Sequence, residues 1–141
     1  MFRNPSSAQI RELLARAKTI AVVGLSPNPE RPSHRIARRL QEWGYRVIPV
    51  RPAIDRVLGE KAYARLTDVP QRIDLVDVFR AAQHLDPIVR DCIERRVPAL
   101  WLQQGIVNDP AAERASAAGI RVVMDRCIAV DYRHLVLQPG P

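Results

Sequence analysis

A three-layer, doubly wound α/β fold with a five-stranded parallel sheet is the architecture this sequence predicts, and three observations point to it. Short apolar runs alternate with segments whose apolar residues recur at helical spacing, the pattern of repeated βα units. The runs are rich in Val and Ile and nearly continuous, as in strands covered on both faces. The first run, Thr19–Val23, stops at Gly24 and crosses a Pro/Ser/Asn loop into an amphipathic helix, the arrangement with which α/β proteins hold phosphates.

The elements follow in order. Ser6 and Gln9 form a capping box ahead of Ile10, Leu13, Leu14 and Ala17, which predicts a helix over Ser7–Lys18. Thr19–Val23 is the first strand. Ser33 is placed to cap a second helix with Ile36, Ala37, Leu40 and Trp43 on its buried side, and Gly44 ends it. Tyr45–Val50 is the second strand, stopped by Arg51-Pro52. Ala53–Leu66 reads as irregular, with a turn at Leu58-Gly59 and a short helical piece around Tyr63. Asp74–Phe79 is the third strand and Asp86–Arg96 a helix. Ala99–Gln103 is the fourth strand. Asp109 as cap and Pro110 at the first helical position open a helix that runs to about Ala118. Ile120–Met124 is the fifth strand, and Arg126–Leu135 reads as loop or short helix. The 141 residues are read as one domain, with an ordered core over 7–135 and a frayed tail over 136–141.

Composition narrows the function classes. A hydrophobic fraction of 47% is ordinary for a globular chain, and no apolar run approaches the ~20 residues that cross a bilayer. The start of the chain lacks the hydrophobic segment of a secretory signal, so a cytoplasmic protein is expected. Cys92 and Cys127 fit no zinc spacing and no C-x-x-C pattern, and the three histidines are scattered, so no metal is expected. The net charge of +7 favours anionic partners. Nucleic acid is the weakest of these, since charge alone speaks for it and no basic block with interleaved aromatics supports it. Oligomeric state is not written in the sequence.

In doubly wound sheets ligands sit beyond the carboxyl ends of the strands, where the winding direction reverses. The strand ends here are Gly24-Leu25-Ser26-Pro27, Val50-Arg51-Pro52, Phe79-Arg80 and Gln103-Gln104-Gly105. The first of them is not G-x-G-x-x-G, because only the first glycine is present. An ordinary dinucleotide site is thereby disfavoured against some other phosphate-bearing ligand.

Together with Asn28–Ser33, Gly44–Val50, Leu58–Glu60, Val76–Arg80, Trp101–Ile106 and Met124–Cys127, the stretch Ala21–Ser26 resembles the stand-alone CoA-binding proteins, a family that shares its Rossmann-like fold with the nucleotide domain of the succinyl-CoA synthetase alpha subunit. The matching pieces lie in order along most of the chain; each alone is weak and the set is specific. The resemblance implies a coenzyme A site. It would set Gly24, Leu25 and Ser26 at the pyrophosphate with Arg31 and Ser33 nearby, Pro49, Val50 and Arg51 at the adenosine part, Phe79 and Arg80 along the cleft, and Gln103 and Gly105 toward the pantetheine arm. One departure is Arg51-Pro52, where these proteins commonly carry Asn-Pro.

The residues themselves carry two readings each. Gly24 lets a phosphate approach the backbone, or simply makes a tight turn. Ser26 donates to a ligand, or closes a local turn. Arg51 suits a phosphorylated ribose, where an NAD site would want a carboxylate, but it does not separate CoA from NADP. Phe79 is core or cleft wall, and Gln103 bonds a ligand amide or a backbone group. Trp101 and Cys92 read as core, Cys127 as buried and inert, and His34 as solvated; neither His84 nor His134 has an evident partner. The expected function is therefore a small protein that binds CoA or an acyl-CoA without catalytic machinery of its own, with an NADP-binding redox or sensor domain as the alternative.

Overall fold

The computed structural model describes residues Met1–Gln138. In chain order its elements are α1 (Ser7–Arg16), β1 (Thr19–Val23), α2 (Pro32–Glu42), β2 (Arg46–Val50), a short hairpin β3 (Arg56–Val57) and β4 (Glu60–Lys61), β5 (Leu75–Val78), α3 (Leu85–Arg95), β6 (Ala99–Leu102), α4 (Asp109–Ala117), β7 (Arg121–Met124) and α5 (Ile128–Tyr132). Five of the strands form one parallel sheet in the order β2-β1-β5-β6-β7. The doubly wound α/β class is therefore the observed one. Pro49 lies within β2, which a central strand would not tolerate; β2 is the sheet edge, where a missing N–H breaks no ladder.

Two hydrophobic clusters sandwich the sheet. One packs α3 and α4 against it through Leu85, Val89, Ala111, Ala112 and Ala115. The other packs α1, α2 and α5 through Ile10, Leu14, Ala37, Leu40 and Ile128. Alternation along β5 serves both, Leu75 facing the second cluster and Val76 and Val78 the first. Tyr132 stacks on Trp43 at 4.3 Å between centroids and meets Tyr45 edge-on at 5.6 Å, which fastens α5 to the end of α2.

Several local expectations are corrected. The helix after β1 is capped by Arg31 with Pro32 at its first position; Ser33 is not the cap. The cap of α4 is Asn108, whose side chain accepts from the Ala111 N–H at 3.0 Å, so Asp109 is its first residue. No helix forms around Tyr63: the N–H of Tyr63 bonds to Pro49 O and its carbonyl accepts from the Arg51 N–H, so this stretch lies alongside the end of β2. A 3₁₀ turn follows at Leu66–Asp68. The segment after β7 is α5 continued by a π-helical turn over Arg133–Leu137. The fraying predicted for Pro139, Gly140 and Pro141 lies outside the described residues.

One core residue breaks the apolar pattern. Asp77, in the middle of β5 between Val22 of β1 and Trp101 of β6, is fully buried, and neither carboxylate oxygen has a hydrogen-bond partner among the described residues. Burial pushes its pKa well above the usual carboxylate value, favouring the neutral acid over the charged form. A folded-state pKa above the unfolded one stabilises the fold fully only below about pH 4, and that share is lost as pH rises toward the folded value. Replacement Asp77→Val is expected to raise stability by about 1–3 kcal/mol at neutral pH and to flatten the decline between pH 4 and neutrality, measured by urea denaturation across that range.

Candidate functional site

A cleft of about 1100 Å³ opens at the carboxyl ends of β1, β2, β5 and β6, just above the ~300–1,000 Å³ typical of small-molecule sites. It lies where the winding reverses. The connection from β1 runs through α2 on one face of the sheet, the connection from β5 through α3 on the other, and the chain parts between Gly24 and Phe79-Arg80.

The loop from Ser26 to Ser33 forms one wall and is held by its own polar side chains. Ser33 Oγ accepts from the Ser26 N–H at 2.9 Å, and Ser26 Oγ accepts from the Asn28 N–H at 3.1 Å. Asn28 Oδ1 accepts from the Glu30 N–H at 3.0 Å. His34 is buried, not solvated, and donates from Nδ1 to the Ser26 carbonyl at 2.9 Å. These bonds fix the approach to α2 and leave two backbone donors over. The N–H groups of Leu25 and Ser33 bond to no other described residue, and Pro32 has none to offer. Ser33 sits in the first turn of α2, where a helix N-terminus favours negative charge.

Gly24 closes this wall against the end of β5. Its φ is +85°, and a Cβ built there would lie 2.8 Å from the Phe79 carbonyl oxygen and 3.2 Å from Arg80 Cδ. Its N–H is already donated to Val50 O at 2.9 Å. Glycine is required so that β1 and β5 can close at the cleft mouth, with the Arg80 stem lying over the turn.

Charge is distributed unevenly around the cleft. Four arginines, Arg31, Arg51, Arg65 and Arg80, line it against the single carboxylate of Asp91. Arg65 is committed to that carboxylate, with Nη2 2.7 Å from Asp91 Oδ1. The guanidiniums of Arg31, Arg51 and Arg80 have no ion-pair or hydrogen-bond partner among the described residues. Arg51 is nonetheless held in place through its backbone, since its N–H donates to Tyr63 O at 2.7 Å.

The far end of the cleft is built from the loops after β6 and β7. The Gly105 N–H donates to Asp125 Oδ1 at 2.7 Å, and Trp101 Nε1 donates to the Arg126 carbonyl at 2.7 Å. Arg126 grips Asp131 with two bonds of 2.6 and 2.8 Å, which raises the guanidinium pKa further and pins the start of α5. Between them Gln103, 5% exposed, accepts from the Ile128 N–H through Oε1 at 3.3 Å. Cys127, half-buried, lines the cleft beside it, so the expectation of a buried thiol is corrected. Cys92 does lie in the core, where burial pushes its thiol up to about 12.

Of the residues singled out from the sequence, Gly24, Ser26, Arg31, Ser33, Val50, Arg51, Phe79, Arg80 and Gln103 line the cleft. Leu25, Pro49 and Gly105 do not. Leu25 is wholly buried; the Pro49 side chain is buried in β2; the Gly105 N–H is spent on Asp125. Sequence reasoning missed Arg65, Gln104, Ile106 and Cys127, which also line the cleft. Gln104 and Ile106 left a trace inside the Trp101–Ile106 motif and Cys127 at the end of Met124–Cys127; Arg65 left none.

The family model described as "CoA binding domain" matches residues 18–133 of this chain. The uncharacterized protein YneT of Bacillus subtilis is 44% identical over 131 residues, 93% of this chain and 97% of that protein. A solved structure from Thermus thermophilus superposes with a TM-score of 0.88 at 38% identity, covering 92% of this chain and 98% of the other. The alpha subunit of an ADP-forming acetate–CoA ligase II from Pyrococcus furiosus is 24% identical over 126 residues, 82% of this chain but only 28% of that subunit.

The closure at Gly24 can be tested apart from any ligand. Gly24→Ala adds a Cβ against a backbone oxygen at positive φ and is expected to cost about 1–3 kcal/mol of stability, read from urea denaturation. A cost within about 0.5 kcal/mol of zero would show that the turn has slack.

Proposed function

The chain belongs to the CoA-binding domain family, and from that membership we propose that it binds coenzyme A, or an acyl-CoA, in the cleft at the carboxyl ends of its parallel strands. The observation that carries this reading is the set of unpaired cations. Arg31, Arg51 and Arg80 face one cleft with no carboxylate to neutralise them, while Arg65 and Arg126 are each matched to an aspartate. Leaving three guanidiniums together costs repulsion that an anion would relieve.

In this reading the N–H groups of Leu25 and Ser33 and the Arg31 guanidinium take the pyrophosphate. Arg51 takes the phosphorylated ribose, with the aliphatic stem of Arg80 and the ring of Phe79 as the wall between them. Gln103 offers its amide to the pantetheine arm. Bound CoA would bring a thiol to the cleft as a carrier of acyl groups. We propose binding without turnover: the cleft-lining imidazole, His84, is exposed and bonded to no carboxylate among the described residues. Arg51 fits the 2′-phosphate of NADP equally, so that nucleotide is the second reading.

Titration calorimetry with CoA, dephospho-CoA, NADP and NAD separates them. CoA is expected to bind tightest, and dephospho-CoA weaker by about tenfold, one charge-assisted contact of ~1.4 kcal/mol. Arg51→Ala is expected to weaken CoA by the same factor and to leave dephospho-CoA nearly unchanged. Affinity for CoA is expected to fall as salt rises, because the arginines are solvent-reached. Tighter binding of NADP than of CoA would establish the second reading, and no binding of CoA at hundreds of micromolar would end the first.

A further inference from the structure

Cys127 is the half-buried cysteine at the cleft, and a cysteine so placed would mean nothing by itself. A second observation lies beside it. Gln103 is 5% exposed, and its Oε1 is taken by the N–H of Ile128, the residue after Cys127. Its amide nitrogen bonds to nothing among the described residues, yet it is not one of the side-chain atoms sealed from solvent. A buried amide thus opens toward the cleft with its donors unspent, next to a thiol. A ligand that carries an amide acceptor near a sulfur would engage this donor and reach the thiol at once. The segment that holds Cys127 is also unusually fixed: Trp101 holds the Arg126 carbonyl, Asp131 holds the Arg126 side chain, and Asp125 is tied to Gly105.

We propose that Cys127 is a thiol-exchange site, at which the protein captures CoA covalently from a disulfide of CoA. This rests on the CoA reading above and deepens it. The Cys127 thiol gives its proton to solvent, and the thiolate attacks the CoA sulfur of the incoming disulfide. An S–S bond forms between Sγ and CoA, the original S–S bond breaks, and its electron pair leaves on the other thiolate, which takes up a proton. The incoming disulfide is the oxidant, so no further electron acceptor is needed. Attack by a free small thiol reverses the step. Gln103 acts here as a positioning residue, holding the pantetheine amide so that the sulfur faces Sγ. Cys92 takes no part, being enclosed in the core under α3.

The test uses the full chain and two disulfides at equal concentration, CoA disulfide and glutathione disulfide, followed by intact-mass measurement without reductant. One CoA per chain is expected, removed by dithiothreitol and formed at least about tenfold faster than the glutathione adduct, since prior binding orients the reacting sulfurs. The adduct is expected to persist in Cys92→Ser and to vanish in Cys127→Ser. Gln103→Ala is expected to slow the CoA reaction while leaving the glutathione reaction alone, a split that loss of folding would not produce. Equal rates for the two disulfides, or an adduct on Cys92, would overturn the inference. Calorimetry with reduced CoA on the unmodified chain tells the two failures apart. Binding without any adduct removes this inference alone, and absence of binding removes the reading beneath it as well.

Discussion

The reversal of winding at β1 is the constraint from which the rest of the cleft follows. β1 pairs with β2 on one side and β5 on the other, each partner five or four residues long and in parallel register. A right-handed crossover to each side puts α2 on one face and α3 on the opposite one. No helix can then cover the ends of both β1 and β5, and the gap between them persists. Gly24 lets the two strand ends close as far as backbone contact allows, and the gap that remains is floored by main chain and edged by the first residues leaving each strand.

Around that gap the protein spends its polar groups in two ways. Groups that shape the walls are satisfied internally: Ser26, Asn28, Ser33 and His34 bond within one loop, and Asp125, Arg126 and Asp131 tie the opposite end. Groups that face the opening are left over, namely the guanidiniums of Arg31, Arg51 and Arg80, the N–H of Ser33, and the Gln103 amide. A rigid wall with unspent donors is preorganised for an anionic, amide-bearing ligand, because little ordering remains to be done on binding. The contrast with Arg65, matched to Asp91 on the same rim, shows that a carboxylate partner was structurally available to this surface.

The strands and most helices were legible because burial on both faces writes itself as apolar runs, and one-sided burial as helical periodicity. Caps were legible as residue types but not as positions. Ser33 has the chemistry of a cap, yet Pro32 already occupies the first turn and frees the hydroxyl to hold Ser26. Asn108 and Asp109 are both able to cap, and only the chain path shows that Asn108 does. Asp77 gave no warning either, since an acid inside an apolar run reads as a strand edge until both its neighbours are known to be central strands.

By itself the sequence determined the order of elements, the strand ends and the excess of arginine, all of which depend on neighbours along the chain. Tertiary structure decided which of those groups share a rim, which of them are already neutralised, and which cysteine is reached from the cleft. Those questions turn on residues far apart in sequence, such as Arg65 with Asp91 or Gln103 with Ile128. A cation's availability is set by whether an anion lies within a few ångströms of it, and no local pattern encodes that distance.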